Sequence, residues 1–305
     1  MTTQFIVVPG HSSSMNFIVN QLLQMREDFL WDRIRDLADE ASFDVNRALK
    51  ECMRVTIPAN RYAQPLQFLL GYAFYTMKPT KQEGTQGVTG HSLGEFLAIA
   101  IAGSINWADG LRLVMRCGTV MDAMHRVRPG AMSALLGFSN NEVAQICEAG
   151  ARGPSDYLEI ANINSIDQIV VSGDIHCLDE MEHRVKTTSE RRIIRLGIRG
   201  AAHSSMYAGR DPMNAVLKNI TVKAPSIPLF LSTVPGRIDD AAGVKEAIKG
   251  ILVNRVNWVR TMADIYQLYP DASLNILFPD RGMANLLKNY FSPRKYKLLP
   301  DSISK

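Results

Sequence analysis

The apolar run Phe5-Ile6-Val7-Val8 breaks at Pro9-Gly10, a pattern that predicts a short buried strand ended by a turn. Residues 15–52 follow as helical segments with charged outer faces. Residues 64–75 are apolar nearly all round and carry Pro65 close to their start, which predicts a central buried helix. Gln86-Gly87-Val88-Thr89 is strand-like. It leads through Gly90-His91-Ser92-Leu93-Gly94-Glu95 into Phe96-Leu97-Ala98-Ile99-Ala100-Ile101-Ala102, an apolar run rich in good helix formers. Another helix is expected over residues 109–124.

From residue 130 the pattern changes. Strands are expected at 131–136, 158–163, 168–173 and 192–196, and helices at 140–150 and 175–186. The order βαββαβ predicts a ferredoxin-like small domain over residues 129–199 with its own core. Its ends return to one place, so it can be inserted as a lid into a larger domain made of residues 1–128 and 200–305. The fold class is therefore α/β. Beyond the insert, residues 206–218 read as helical and 225–233 as an extended run among Pro225, Pro228 and Pro235. Helices follow at 244–253 and from 258 to 269, then a last strand at 274–278 and a last helix at 282–290. There is no internal repeat.

Composition narrows the classes. With 305 residues, 46% apolar and 21% charged, the chain suits one large domain or two unequal ones around a sizeable core. No apolar run reaches eighteen residues, so no membrane span is expected. The N-terminus enters a strand without a presequence pattern, and a cytoplasmic location is expected. Cys52, Cys117, Cys147 and Cys177 are scattered with no Cys-x-x-Cys pair, so reduced thiols and no metal site are expected. A net charge of +4 suits acidic or phosphorylated partners without demanding nucleic acid. Neither Gly-x-Gly-x-x-Gly nor Gly-Lys-Ser/Thr occurs, which argues against dinucleotide and nucleoside-triphosphate loops.

The chemistry centres on Gly90-His91-Ser92-Leu93-Gly94. A serine on a strand-to-helix turn is pushed out of the sheet, and the next N–H, that of Leu93, lies at a helix N-terminus where developing negative charge is stabilised. Ser92 is therefore the candidate nucleophile, and it needs a base. His91 adjoins it, but neighbouring side chains on an elbow diverge. His125, His176 and His183 sit in charged, helix-like surroundings. His11 lies in a Gly/Ser loop that reads either as half an oxyanion hole or as a plain turn. Elimination leaves His203, in a small-residue turn after the insert. No acid stands at a telling spacing, and a backbone carbonyl can orient the imidazole instead. Arg116 has apolar neighbours on both sides. It either snorkels and pairs with an acid, or faces the elbow as a fork for a carboxylate, which would select groups such as malonyl. Lys186, Arg191, Arg192, Arg195 and Arg199 form either a solvated strand face or a patch for phosphates or an acidic protein.

Taken in order, several segments resemble the malonyl-CoA:acyl carrier protein transacylases, including the discrete acyltransferases that serve polyketide synthases. They are Gly90 to Phe96, Arg116 with Gly118 and Met121, Gly130-Ala131-Met132, Ala161 to Ser165, Gln168 to Gly173, Ala202-His203-Ser204 with Met206, and Val256-Asn257-Trp258. The resemblance implies an α/β-hydrolase-like large domain with a parallel sheet, a ferredoxin-like small domain and a cleft between them. It implies Ser92 as nucleophile, His203 as base, Arg116 on the malonyl carboxylate, oxyanion donors at Leu93 and His11, and a substrate contact from Asn162. Malonyl would pass from malonyl-CoA to Ser92 and then to the phosphopantetheine thiol of an acidic acyl carrier protein, in polyketide or fatty acid biosynthesis. The same resemblance implies no resident cofactor, no membrane or nucleic-acid partner, and a monomer. Departures stand at Gly10-His11-Ser12-Ser13-Ser14, where the family has Gly-Gln-Gly-Ser-Gln, at Ile251 and Arg255, at Ala202, which widens the acyl pocket, and at Phe278-Pro279-Asp280-Arg281-Gly282. They leave other acyl groups open. The competing readings are a serine hydrolase for acyl carrier protein thioesters, which a buried Arg116 would argue against, and a non-catalytic scaffold.

Overall fold

The computed structural model describes residues 3–11, 15–77, 85–151, 153, 156–185, 187, 191–209, 213–288 and 296–298. The strands in chain order are β1 (Gln4–Val8), β2 (Thr85–Gly90), β3 (Gly130–Leu136), β4 (Leu158–Ile163), β5 (Gln168–Asp174), β6 (Arg192–Arg195), β7 (Leu229–Leu231), β8 (Arg237–Ile238), β9 (Val256–Asn257), β10 (Ser273–Ile276) and β11 (Tyr296–Leu298). The helices are α1 (Met15–Gln24), α2 (Phe29–Glu40), α3 (Val45–Arg54), α4 (Asn60–Thr76), α5 (Gly94–Ile101), α6 (Trp107–Val127), α7 (Asn140–Gly150), α8 (Ile175–Arg184), α9 (Asn214–Leu217), α10 (Ala241–Gly250), α11 (Trp258–Leu268) and α12 (Arg281–Lys288).

These elements make two sheets. The larger has the order β11-β10-β1-β2-β7-β8 and is parallel throughout except for the antiparallel edge strand β8. Its strands β1 and β7 are apolar on both sides because both faces are covered. Ile6, Val8 and Val88 join the core built with α1 to α6, while Phe5, Val7 and Phe230 pack toward α11 and α12. The smaller sheet has the order β6-β3-β5-β4, the antiparallel ferredoxin-like arrangement, with β9 added in parallel to β4. Alternation along its strands decides its two faces. Leu135 and Val171 point into a core shared with α7 and α8, whereas Ala134 and Val170 join the core of the larger unit. The small sheet therefore lies over the carboxyl ends of β1 and β2, where open α/β sheets place their ligands.

Several element boundaries differ from the sequence reading. The central helix begins at Asn60, so Pro65 sits inside it. The early start is secured from outside: the Asp122 carboxylate on α6 accepts the N–H groups of Asn60 (2.9 Å) and Arg61 (3.2 Å). A carboxylate at that end satisfies orphan donors and opposes the helix dipole favourably. Residues 206–218 are not one helix; the described part holds a 3-10 turn at Ser205–Tyr207 and the single turn α9. Residues 225–233 contain only the short β7. Val256-Asn257, directly before α11, forms the short strand β9. The strand at 273–276 is followed by β11, so it is not the last. Among the described residues no helix is long and apolar enough to cross a membrane.

Candidate active site

β2 delivers the chain into Ser92, and α5 starts two residues later. Ser92 has φ +51°, a left-handed conformation that costs about 1–2 kcal/mol for a residue with a side chain. Its surroundings enforce that turn. The Ser92 N–H donates to Ser232 Oγ (3.0 Å), the Ser232 hydroxyl donates to Glu95 Oε1 (2.7 Å), and Glu95 also accepts the Thr233 N–H (2.8 Å) and hydroxyl (2.7 Å). Burial pushes the Glu95 carboxyl up to about 7. The flanking glycines are required by close approach. A Cβ on Gly90 would lie 2.6 Å from the Glu95 backbone nitrogen, and one on Gly94 would lie 2.5 Å from the Val8 carbonyl oxygen.

His203 arrives on the segment that returns from the small sheet, also with positive φ (+59°). Its Nε2 lies 2.7 Å from Ser92 Oγ, and its Nδ1 lies 3.0 Å from the carbonyl oxygen of Asn254. A carbonyl can only accept, so Nδ1 carries the proton and Nε2 is free to accept from the serine hydroxyl. Burial lowers the His203 pKa to about 4, which keeps the ring neutral near pH 7. A serine, a neutral imidazole and an orienting carbonyl can form and break an acyl-serine bond. Among the described residues, the N–H groups of Leu93 and His11 donate to no protein acceptor, and both residues line the cleft beside Ser92. The Gln67 side-chain amide donates to the carbonyl oxygen of Gly10 and so braces the loop that carries His11. Ser12 to Ser14 lie outside the described residues.

The remaining predicted residues divide. His91 does not reach the serine. Its Nε2 donates to Asn164 Oδ1 at 2.8 Å, its ring stands edge-on to Trp258, and burial lowers its pKa. His11 lines the cleft, and burial lowers its pKa to about 4. Asn162 also lines the cleft. It follows an irregularity in the β4–β5 register, between Ile160 and Asn162, of the kind that re-aims a side chain next to a site. Arg116 is not among the residues that line this cleft. It lines a separate surface groove with Asp109, Arg112, Ala215, Val216, Asn219 and Ile220. The residue of α6 that faces the cleft is its neighbour Cys117, followed one turn on by Met121. One helical step turns the side chain by roughly 100°, and that step separates the two surfaces. Among the described residues no lysine or arginine lines the cleft.

Two residues of the basic run at the end of the small domain are committed to ion pairs within it. Arg195 pairs with Glu182 and Asp179 (both 2.7 Å), and Arg191 pairs with Glu142 (2.8 Å). Lys186 lies outside the described residues. The four cysteines are buried free thiols. The fold does bring Cys177 and His176 near Asp156 and Asp174, but both oxygens of Asp174 are held by Arg128, at 2.5 and 2.6 Å. That makes the group an ion-paired corner of the small domain. Sequence reasoning passed over Gln64, Ser232, Glu95 and Asp280 as parts of the site or its support. Gln64 and Gln67 stood out as buried-helix glutamines, a usable signal. Ser232 had none, because it reaches the elbow from the turn after β7, 140 residues away in sequence. Arg255 donates to the Ile160 carbonyl oxygen (2.9 Å), fastening the Asn254 loop to β4.

Comparison with known proteins agrees in extent with this architecture. The sequence model of the acyl transferase domain family matches residues 29–278. A malonyl CoA-acyl carrier protein transacylase of Salmonella typhimurium is 31% identical over 176 residues, which is 57% of this chain and 56% of that protein, so the chain matches just over half of that relative. The enzyme of the same name from Buchnera aphidicola is 23% identical over 291 residues, covering 94% of this chain and 92% of its own. Among solved structures, the malonyl-CoA:acyl carrier protein transacylase of Xanthomonas oryzae superposes with a TM-score of 0.82 at 24% identity, over 95% of this chain and 91% of that one. At that identity it speaks for the fold.

Proposed function

The chain belongs to the acyl transferase domain family, and we propose from this that it transfers an acyl group from coenzyme A to the phosphopantetheine thiol of an acyl carrier protein, malonyl being the group carried by the relatives named above. The observation that supports this reading best is the 2.7 Å contact between Ser92 Oγ and His203 Nε2. Neutral His203 takes the serine proton as Oγ attacks the thioester carbonyl. The oxyanion of the tetrahedral intermediate is received by the N–H groups of Leu93 and His11. As the intermediate collapses the C–S bond breaks, and imidazolium at His203 returns the proton to the leaving thiolate. The acyl group then sits on Ser92 as an ester. In the second half, His203 takes the proton of the pantetheine thiol, the thiolate attacks the ester carbonyl, and Ser92 regains its proton. The Asn254 carbonyl holds Nδ1–H throughout and stabilises the transient positive ring without a carboxylate.

This mechanism needs no resident cofactor or metal, and it assigns the small sheet the task of covering the acyl-serine. A monomer is the proposed state, which sedimentation would check. Arg116 outside the cleft removes the objection raised from sequence against a hydrolase, but the matched relatives are named transacylases, so transfer stands first. The test is intact-protein mass spectrometry after incubation with an acyl-CoA. A stable acyl adduct is expected on the wild type, and Ser92→Ala should abolish it. Discharge of that adduct by a phosphopantetheinylated carrier protein should outpace discharge by water. An adduct persisting in Ser92→Ala would refute the nucleophile, and water outpacing the carrier would refute transfer.

A further inference from the structure

Among the described residues, no lysine or arginine lines the cleft beside Ser92. Its walls include Cys117, Met121, Met132, Ala134, Val170 and Ala202. The cleft encloses about 230 Å³. His11, His91 and His203 also line it, but burial lowers all three pKa values and leaves the rings uncharged near neutral pH. The Cys117 thiol is pushed up to about 12 by burial, so it is neutral as well. The ionisable acid in the wall is Asp280, whose pKa burial raises and whose Oδ1 accepts the Met283 N–H at 2.7 Å. His11 Nδ1, Gln64 Oε1 and Asn162 Oδ1 are buried polar atoms without a hydrogen-bond partner among the described residues. They are neutral groups that suit a dipole and offer a carboxylate no counter-charge. A buried carboxylate gives up its water and needs a cation in return, most effectively a bidentate guanidinium. Arg116 is not among the cleft-lining residues and instead lines the separate surface groove with Asp109 and Arg112.

We propose that this site selects uncharged acyl groups over malonyl. The inference rests on the acyl-serine reading above and names its substrate class. The donor's coenzyme A portion is common to all thioesters, so a comparison of donors isolates the acyl end.

The experiment measures the rate of adduct formation on Ser92, by intact mass, with malonyl-CoA and with butyryl-CoA at equal concentration. Butyryl is expected to load at least tenfold faster. Cys117→Arg places a guanidinium on the helix face that does meet the cleft, and should raise the malonyl-to-butyryl ratio at least tenfold. Arg116→Ala should leave that ratio within about twofold of wild type. Malonyl loading as fast as butyryl on the wild type would overturn the inference, and so would a tenfold or greater fall in the malonyl-to-butyryl ratio in Arg116→Ala. The wild-type ratio decides the matter even if Cys117→Arg fails to fold. Absence of an adduct with either donor would instead overturn the acyl-serine reading beneath it, a distinguishable result.

Discussion

Glu95 is the buried brace of the elbow, and its removal has a calculable cost. The side chain is 1% exposed and accepts three hydrogen bonds, from the Ser232 hydroxyl, the Thr233 hydroxyl and the Thr233 N–H. In Glu95→Ala the two hydroxyls can re-aim, at about 0.5–1 kcal/mol each, whereas the fixed backbone N–H suffers the full penalty of a buried unpaired donor, about 1–3 kcal/mol. The sum is about 2–5 kcal/mol, a large part of an ordinary folding free energy of about 5–15 kcal/mol. Glu95→Gln keeps an acceptor for the N–H and should cost about 1 kcal/mol. The two variants also separate by pH. Burial raises the folded pKa from 4.5 to about 7, so the folded chain holds a proton that the unfolded chain releases. The stability due to that proton is full below about 4.5 and is lost as pH rises through about 7, a change of about 3 kcal/mol at 1.36 kcal/mol per unit. His11 and His203 slope the other way, so the quantity to plot is wild type minus Glu95→Gln. Urea unfolding followed by tryptophan fluorescence at pH 5 and pH 8 measures it. Glu95→Ala within 1 kcal/mol of wild type, or a difference curve flat between those pH values, would refute the reasoning.

Three further outcomes follow from the same geometry. His203 has its pKa lowered to about 4 by burial, so the rate of acyl-serine formation should be level from about pH 5.5 to 8 and fall only near pH 4; a stopped-flow profile with a midpoint near 6.5, the ordinary imidazole value, would contradict it. The folding stability tied to that depressed pKa is present above about 6.5 and is lost as pH falls through about 4. Gly94→Ala would place a methyl 2.5 Å from the Val8 carbonyl oxygen and 2.6 Å from that of Pro9, both backbone atoms. It should destabilise the chain by more than about 2 kcal/mol in urea unfolding, with a wild-type midpoint as the contrary result.

The ferredoxin-like strand and helix order was readable because each piece is written in contiguous residues. Ser139 with Glu142 forms the capping box that starts α7, and the apolar stretches of β3, β4 and β5 are long enough to identify without their partners. The elbow was readable for the same reason, since Gly90, Ser92 and Gly94 act on one another across a single turn. The candidate base at residue 203 emerged by elimination among six histidines, and its orienting carbonyl was anticipated as a kind of group without being assigned to Asn254.

What the chain alone determined was local: which stretches become strands and helices, where the serine turn lies, and that an imidazole in a small-residue segment was available to it. The tertiary structure decided everything that depends on which side of a buried element faces which space. Arg116 and Cys117 are adjacent, and α6 is buried against neighbours on more than one side, so hydrophobic periodicity could not say which of the two met the cleft. Likewise Asp122 sets the start of α4, Ser232 holds the Ser92 N–H, and β9 joins the small sheet, each across 60 or more residues of sequence. Such contacts leave no periodic trace because their spacing is fixed by packing in three dimensions.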